Sequence, residues 1–174
     1  MNSGVFLDRD GVINEVLSKR VKFVNSPEDF YLLPRVGEAI KMFNERKLPV
    51  FVVTNQGGVG LGFMSEKALH NVHKEMKKQL AKFGAHVIEV SYCAHKPHEG
   101  CECRKPGAKM LVDLAEKYNI TLEESYMIGD RDVDILAGKA AGTKTILIGK
   151  DPSVQADHQF PSLWEAATYI VETI

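Results

Sequence analysis

Val5-Phe-Leu-Asp-Arg-Asp-Gly-Val-Ile-Asn14 runs three apolar residues straight into two carboxylates and a glycine. Val5, Phe6 and Leu7 predict a short buried strand. Asp8 then stands at its carboxyl end, the edge at which open α/β sheets bind their ligands. Asp10 follows two residues on, so an extended path aims both carboxylates into one place, and Gly11 lets the chain turn away. Two acids this close repel unless a cation or a shared proton separates them. Mg²⁺ suits such a pair, because it takes oxygen ligands and keeps waters and a substrate phosphate in its shell.

Outward from this stretch, strand and helix signals alternate. Glu15 to Asp29 is polar, weakly periodic and reads as a surface loop. Pro34 opens a helix striped by Val36, Ala39, Ile40 and Phe43, and Val50 to Val53 is the next buried strand, ending in Thr54-Asn-Gln-Gly-Gly-Val-Gly60. Ser65 is an expected N-cap for a helix carrying Leu69, Val72, Met76, Leu80 and Phe83 at helical spacing; His70 and His73 on it read as surface residues. Val87 to Val90 starts a third strand. Leu111, Leu114, Ala115 and Tyr118 mark another helix, and Thr121 to Glu124 fits a capping box. Tyr126 to Ile128 runs as a strand into Gly129-Asp130, Ile135 to Ala141 is helical with Gly142 at its end, and Thr145 to Ile148 is the last strand. Gly149 to Pro161 reads as a polar, mobile segment. Ser162 and Glu165 cap a final helix facing inward through Ala167, Ile170, Val171 and Ile174. The alternation predicts an α/β fold, a doubly wound parallel sheet with helices on both faces, in a single domain over 1–174.

Net charge is −1, which gives no electrostatic basis for binding nucleic acid or an anionic membrane. The N-terminus has no basic region ahead of a long apolar run, and no stretch of about 18 apolar residues exists, so a cytoplasmic protein is expected. All three cysteines fall between 93 and 103, a spacing that points to metal or redox chemistry before disulfides.

The candidate reactive groups each lie just past a strand: Asp8 and Asp10, Thr54, the Asp130-Arg-Asp-Val-Asp134 run, and Lys105 past the Cys/His loop. From Val5 to about Ile148 the chain resembles the haloacid dehalogenase-like phosphohydrolases. Asp8-x-Asp10-Gly11 looks like the first family motif, Thr54 the second, Lys105 the third and Gly129-Asp130-x-x-x-Asp134 the fourth. The closer resemblance is to the D-glycero-D-manno-heptose 1,7-bisphosphate phosphatases and the histidinol-phosphate phosphatases. It is carried by Phe6 to Gly11, Thr54-Asn-Gln56, Cys103-Arg-Lys-Pro106 and the Cys-x-His loop.

That resemblance implies a Rossmann-like sheet without a large cap domain, since neither Asp10 to Thr54 nor Thr54 to Lys105 leaves room for one. It implies Asp8 as nucleophile, Asp10 as acid then base, and Thr54 and Lys105 as donors to the phosphoryl oxygens. It implies Mg²⁺ held by Asp8, the Asp10 carbonyl and Asp130. Asn55, Gln56, Arg104 and Arg131 are the implied substrate contacts. Asp134 either orients the waters of the metal or is a solvated helix acid, and Asp132 reads as surface.

Cys93-Ala-His95-x5-Cys101-Glu-Cys103 offers three thiolates and one imidazole, the donor set of a four-coordinate structural Zn²⁺ site; free or redox-active thiols are the alternative. His98 competes with His95, and the family pattern uses the first. The expected partner is a small phosphorylated metabolite, a sugar bisphosphate, with neither nucleic acid nor membrane, and the family resemblance favours a monomer. The expected reaction is Mg²⁺-dependent removal of the 7-phosphate of a heptose 1,7-bisphosphate through an aspartyl phosphate. Histidinol phosphate is the alternative substrate, and a catalytically inactive zinc-organised interaction module the alternative of another class.

Overall fold

The computed structural model describes residues 2–174. Six parallel strands make its sheet: β1 (Val5–Leu7), β2 (Val50–Asn55), β3 (Glu89–Cys93), β4 (Tyr126–Gly129), β5 (Lys144–Ile148) and β6 (His158–Phe160). Their order is β3-β2-β1-β4-β5-β6. The chain therefore builds outward from β1 to one edge, then returns to the other side of β1. A sheet that reverses its winding opens a crevice at the carboxyl ends of the strands flanking the reversal. Here those are β1 and β4, which Asp8 and Asp130 directly follow.

Both faces of the sheet are covered, and the strands show it residue by residue. Val5, Leu7, Val50, Val52, Tyr126 and Ile128 face one core; Phe6, Phe51, Val53 and Met127 face the other. The first core is roofed by α1 (Val36–Glu45), α3 (Glu66–Ala81) and α6 (Leu163–Thr173). The second lies under α4 (Lys109–Tyr118) and α5 (Asp132–Ala141). A one-turn helix, α2 (Gly57–Gly60), follows β2. None of these helices is long and apolar enough to cross a membrane.

The expected stripes hold where the helix is regular. Val36, Ala39, Ile40 and Phe43 are buried, as are Leu69, Val72, Met76 and Leu80. Ser65 caps α3, its hydroxyl accepting from the Ala68 amide. Phe83 departs: it lies beyond the helix end and is 43% exposed. His73, expected at the surface, is buried on the core side of α3.

Other departures are local. The first helix begins at Val36 rather than at Pro34, after Arg35 in a left-handed conformation. β2 extends to include Thr54 and Asn55, and β3 starts at Glu89 rather than Val87. The Thr121 side chain makes no cap bond; the Ser125 hydroxyl instead donates to the Thr121 carbonyl at 2.7 Å. Thr145 to Ile148 forms a strand, β5, but not the last one: β6 pairs beside it within the segment read as mobile. Its His-Gln-Phe sequence has no apolar alternation because it is an exposed sheet edge. The 15–29 loop is anchored through buried Val21 and Val24, and Ile174 is exposed rather than inward.

Candidate active site

Each strand end contributes one reactive group. Asp8 follows β1 directly, and its amide donates to the Ile128 carbonyl on β4 at 3.0 Å. Asp130 follows β4. Gly11, at φ +85°, lets the chain turn beside them; a Cβ there would collide with the Asp130 carboxylate, so the approach needs glycine twice over. Asp8, Asp130 and Asp134 bring carboxylate oxygens within 4.8 Å of one another.

Lys105 is the cation among them. Its Nζ donates to Asp8 Oδ1 at 2.9 Å, Asp134 Oδ1 at 2.5 Å and the Val53 carbonyl at 2.8 Å, and the side chain is 2% exposed. Burial disfavours its charge, but Asp8 and Asp134 outweigh that and hold it protonated. Asp134 is thus no solvated helix acid: it is buried, paired with Lys105, and also accepts from the Arg131 amide at the start of α5. Asp8 and Asp134 share one ammonium, and Asp130 stands beside them without a bond to it. Burial, followed by the charge of Asp134, raises the Asp8 pKa well above the usual carboxylate range. The same two causes, in that order, raise Asp130 to about 6. Asp130 Oδ1 is buried without a hydrogen-bond partner among the described residues. Surplus buried carboxylate and an orphaned oxygen fit a hard divalent cation.

Asp10 sits in different surroundings. Its Oδ1 accepts from Arg9 Nε (2.9 Å), Arg9 Nη2 (2.7 Å) and Asn14 Nδ2 (3.0 Å), and its Oδ2 from Gln56 Nε2 (3.3 Å). Burial pushes its pKa up, but Arg9 and these hydrogen bonds prevail and hold it below the ordinary value. Its carboxylate is not part of the Asp8–Asp130–Asp134 group.

Thr54 and Gln56 are buried at the end of β2, joined by Gln56 Nε2 donating to Thr54 Oγ1 at 2.9 Å. Asn55 spends both ends of its amide on the Lys105 backbone, accepting from Lys105 N at 2.9 Å and donating to Lys105 O at 3.1 Å. That bracket fixes the loop from which Lys105 enters the site. Arg104, one residue earlier, packs against Gly57; its Nη1 is buried with no acceptor among the described residues. Arg131 is exposed at the mouth.

The pocket over Asp8, Asp10 and Asp130 has a volume of about 190 Å³ and is also lined by Lys105 and Arg131. A neighbouring pocket of about 380 Å³ shares Asp10, Phe23 and Asn55 with it, so the two are parts of one cleft. The larger part is walled by Phe23, Leu61 and Phe63, which are 59%, 51% and 71% exposed. A cavity of about 730 Å³ between the 27–37 segment and α3 holds none of these reactive groups.

The Cys/His loop closes on itself. His95 Nδ1 lies 3.3 Å from Cys93 Sγ and 3.2 Å from Cys103 Sγ, and Cys93 Sγ lies 3.5 Å from Cys101 Sγ. All three cysteines are free thiols. Tetrahedral zinc with these donors has ligand–ligand edges of about 3.5–3.8 Å, so the four atoms already stand close to that spacing. His98 is outside the group. Cys93 ends β3 beside Asn55, and the Gln56 amide donates to its carbonyl at 2.8 Å. The loop is thereby tied to the cleft on one side and to Arg104 and Lys105 on the other.

Three contributors escaped the reading from sequence: Arg9, Asn14 and His73. Arg9 carried a signal, a cation placed between two acids. His73 also carried one, standing four residues after Leu69 and three before Met76 on the apolar stripe.

The HAD-hydrolase-like family model matches residues 102–174. A D-glycero-beta-D-manno-heptose-1,7-bisphosphate 7-phosphatase of Helicobacter pylori is 34% identical over 148 residues, covering 84% of this chain and 83% of the relative. A D-glycero-alpha-D-manno-heptose-1,7-bisphosphate 7-phosphatase of Campylobacter jejuni is 34% identical over 170 residues, 97% and 95% of the two chains. The crystal structure of a D,D-heptose 1,7-bisphosphate phosphatase from B. bronchiseptica, complexed with magnesium and phosphate, superimposes with a TM-score of 0.89 at 30% identity over 99% of each chain.

Proposed function

This chain belongs to the heptose-1,7-bisphosphate 7-phosphatase family of haloacid dehalogenase-like hydrolases, and from that premise we propose that it removes the 7-phosphate of a D-glycero-D-manno-heptose 1,7-bisphosphate through an aspartyl phosphate on Asp8. It is a phosphoric monoester hydrolase. The observation that carries the assignment of roles is the separation of two carboxylates two residues apart. Asp8 shares Lys105 with Asp134, whereas Asp10 is held by Arg9, Asn14 and Gln56.

Mg²⁺ fits the surplus carboxylate: Asp8, Asp130 and the Asp10 carbonyl would hold it, and when bound it offsets charge between the Asp8 carboxylate and the phosphate. Asp8 attacks phosphorus, forming the acyl phosphate as the P–O bond to C7 breaks. Asp10 gives its proton to the departing oxygen and takes one back from the water that then attacks phosphorus, ending as it began. In the free protein Arg9 keeps Asp10 ionised; a phosphoryl group arriving beside it brings negative charge, which raises its proton affinity. Lys105 and the Thr54 hydroxyl donate to phosphoryl oxygens, where charge is greatest in the transition state. Phe23 and Phe63 offer apolar faces to the C–H side of the sugar.

Arg104 directs the choice of substrate. A guanidinium with an unused buried donor suits a second phosphate. Histidinol phosphate presents an ammonium instead. The test is kcat/KM on both heptose bisphosphate anomers and on histidinol phosphate, for wild type and Arg104→Ala. The bisphosphates are expected to lead, and the substitution to cost them at least about tenfold, one charge-assisted contact of roughly 1.5–3 kcal/mol. Histidinol phosphate as the best substrate, or an equal loss on bisphosphate and monophosphate, contradicts the assignment.

The Cys93, His95, Cys101 and Cys103 group is proposed to hold one structural Zn²⁺. The loop has little core of its own, so metal binding supplies its folding energy. Elemental analysis of unchelated protein is expected to give about one zinc per chain, and Cys101→Ser to lower both zinc content and melting temperature. Zinc-free protein with an intact, stable loop contradicts the site. A cytoplasmic monomer suits a small metabolite and a thiolate metal site.

A further inference from the structure

Arg9 is fully buried, and among the described residues it heads the fully buried side chains in size. An arginine is almost never buried so completely unless its donors are used. Nε and Nη2 both point at Asp10 Oδ1. Nη1 turns the other way and meets Nε2 of His73 at 3.1 Å, across 64 residues of sequence. His73 is itself 6% exposed. Arginine is a donor only, so His73 accepts through Nε2 and carries its proton on Nδ1. Burial and then the Arg9 charge push the His73 pKa down to about 3, which keeps the ring neutral.

We propose that His73 is a positioning residue for proton transfer: by accepting from Arg9 Nη1 it fixes the guanidinium that aims Asp10 at the leaving oxygen. The neutral partner matters. A second carboxylate at this place would divide the charge of Arg9 between two acids and loosen its grip on Asp10. An apolar residue would leave Nη1 buried without an acceptor, and the guanidinium would turn to find one. A neutral imidazole satisfies the donor and leaves the charge directed at Asp10. Because α3 carries His73, the helix packed on the sheet becomes part of the alignment of a group at the tip of β1.

The inference rests on Asp10 acting as the proton donor, and the experiment separates the two. kcat/KM covers only steps up to release of the first alcohol, so it isolates the donor role of Asp10 from its later role as base. Phosphate esters are compared across leaving groups, from p-nitrophenyl phosphate, whose phenolate departs unprotonated, to alkyl phosphates such as glycerol 3-phosphate, which need the proton. His73→Leu is expected to lose at least about tenfold more on the alkyl esters than on the aryl ester, part of the roughly 10²- to 10⁴-fold value of general acid help. His73→Gln is expected to recover most of that difference, because its amide oxygen lies as many bonds from Cβ as Nε2 does. His73→Asn, one bond short, is expected to behave as Leu and stands in for it should Leu unfold the helix. Asp10→Asn is run alongside. If it shows the leaving-group dependence and the His73 variants lose equally on all esters, or lose nothing, His73 has no positioning role. If Asp10→Asn itself shows no such dependence, the donor role of Asp10 fails and the inference falls with it.

Discussion

Asp8→Asn is expected to abolish turnover, by about 10⁴-fold or more on the scale of other nucleophile deletions, while leaving the fold intact. The amide is close to the carboxylate in size and keeps an oxygen for Lys105 Nζ, which stands 2.9 Å from Asp8 Oδ1. Its NH₂ stands among carboxylate acceptors, where Asp130 Oδ1 has no partner among the described residues. Burial and the neighbouring Asp134 already disfavour the charge of Asp8. Removing it therefore relieves repulsion, and the melting temperature without Mg²⁺ is expected to equal or exceed that of the wild type. Activity within about tenfold of wild type in a clean preparation would take the nucleophile role from Asp8. A collapsed melting temperature would show that the carboxylate is structural.

Lys105→Met should do the opposite to stability. The two side chains are similar in length, so packing is largely kept while the ammonium that pairs with Asp8 and Asp134 goes. Asp8 and Asp134 lose their shared partner. Breaking a buried ion pair on one side costs roughly 3–5 kcal/mol. For a domain of this size each kcal/mol is worth about 2–4 °C, so a fall of roughly 6–20 °C is expected, partly restored by Mg²⁺. Turnover should also fall by roughly 10²- to 10³-fold, as for a lost transition-state donor. An unchanged melting curve in metal-free buffer would mean that the cluster protonates instead of relying on Lys105.

The parts of this molecule that were legible in sequence are those where one period dominates. Val5–Leu7 and Tyr126–Gly129 are buried on both faces, so their apolar runs declare them, and the acids that follow mark the crevice between β1 and β4. The Cys/His cluster was legible because its four donors lie within eleven residues, and the fold brings together His95 rather than His98. What was not legible depends on long-range partners. His73 reads as polar until Arg9 is placed against it. Asp134 looks like a helix-start acid until Lys105 arrives from another loop to pair with it. β6 has three residues and an exposed edge, too little burial to leave a pattern. Asn55 shows a further limit. Its motif marks it for the substrate, whereas its amide is engaged on both sides by the backbone of Lys105.

The central claim is the loss of one particular phosphate by way of this cluster, and ³¹P NMR of a heptose 1,7-bisphosphate with the protein tests it most directly. With Mg²⁺ present, the resonance of the C7 phosphate is expected to disappear as inorganic phosphate grows, while the C1 phosphate stays. Chelation of Mg²⁺ should stop the change. Loss of the C1 phosphate first, or no release in the presence of Mg²⁺, would contradict the account.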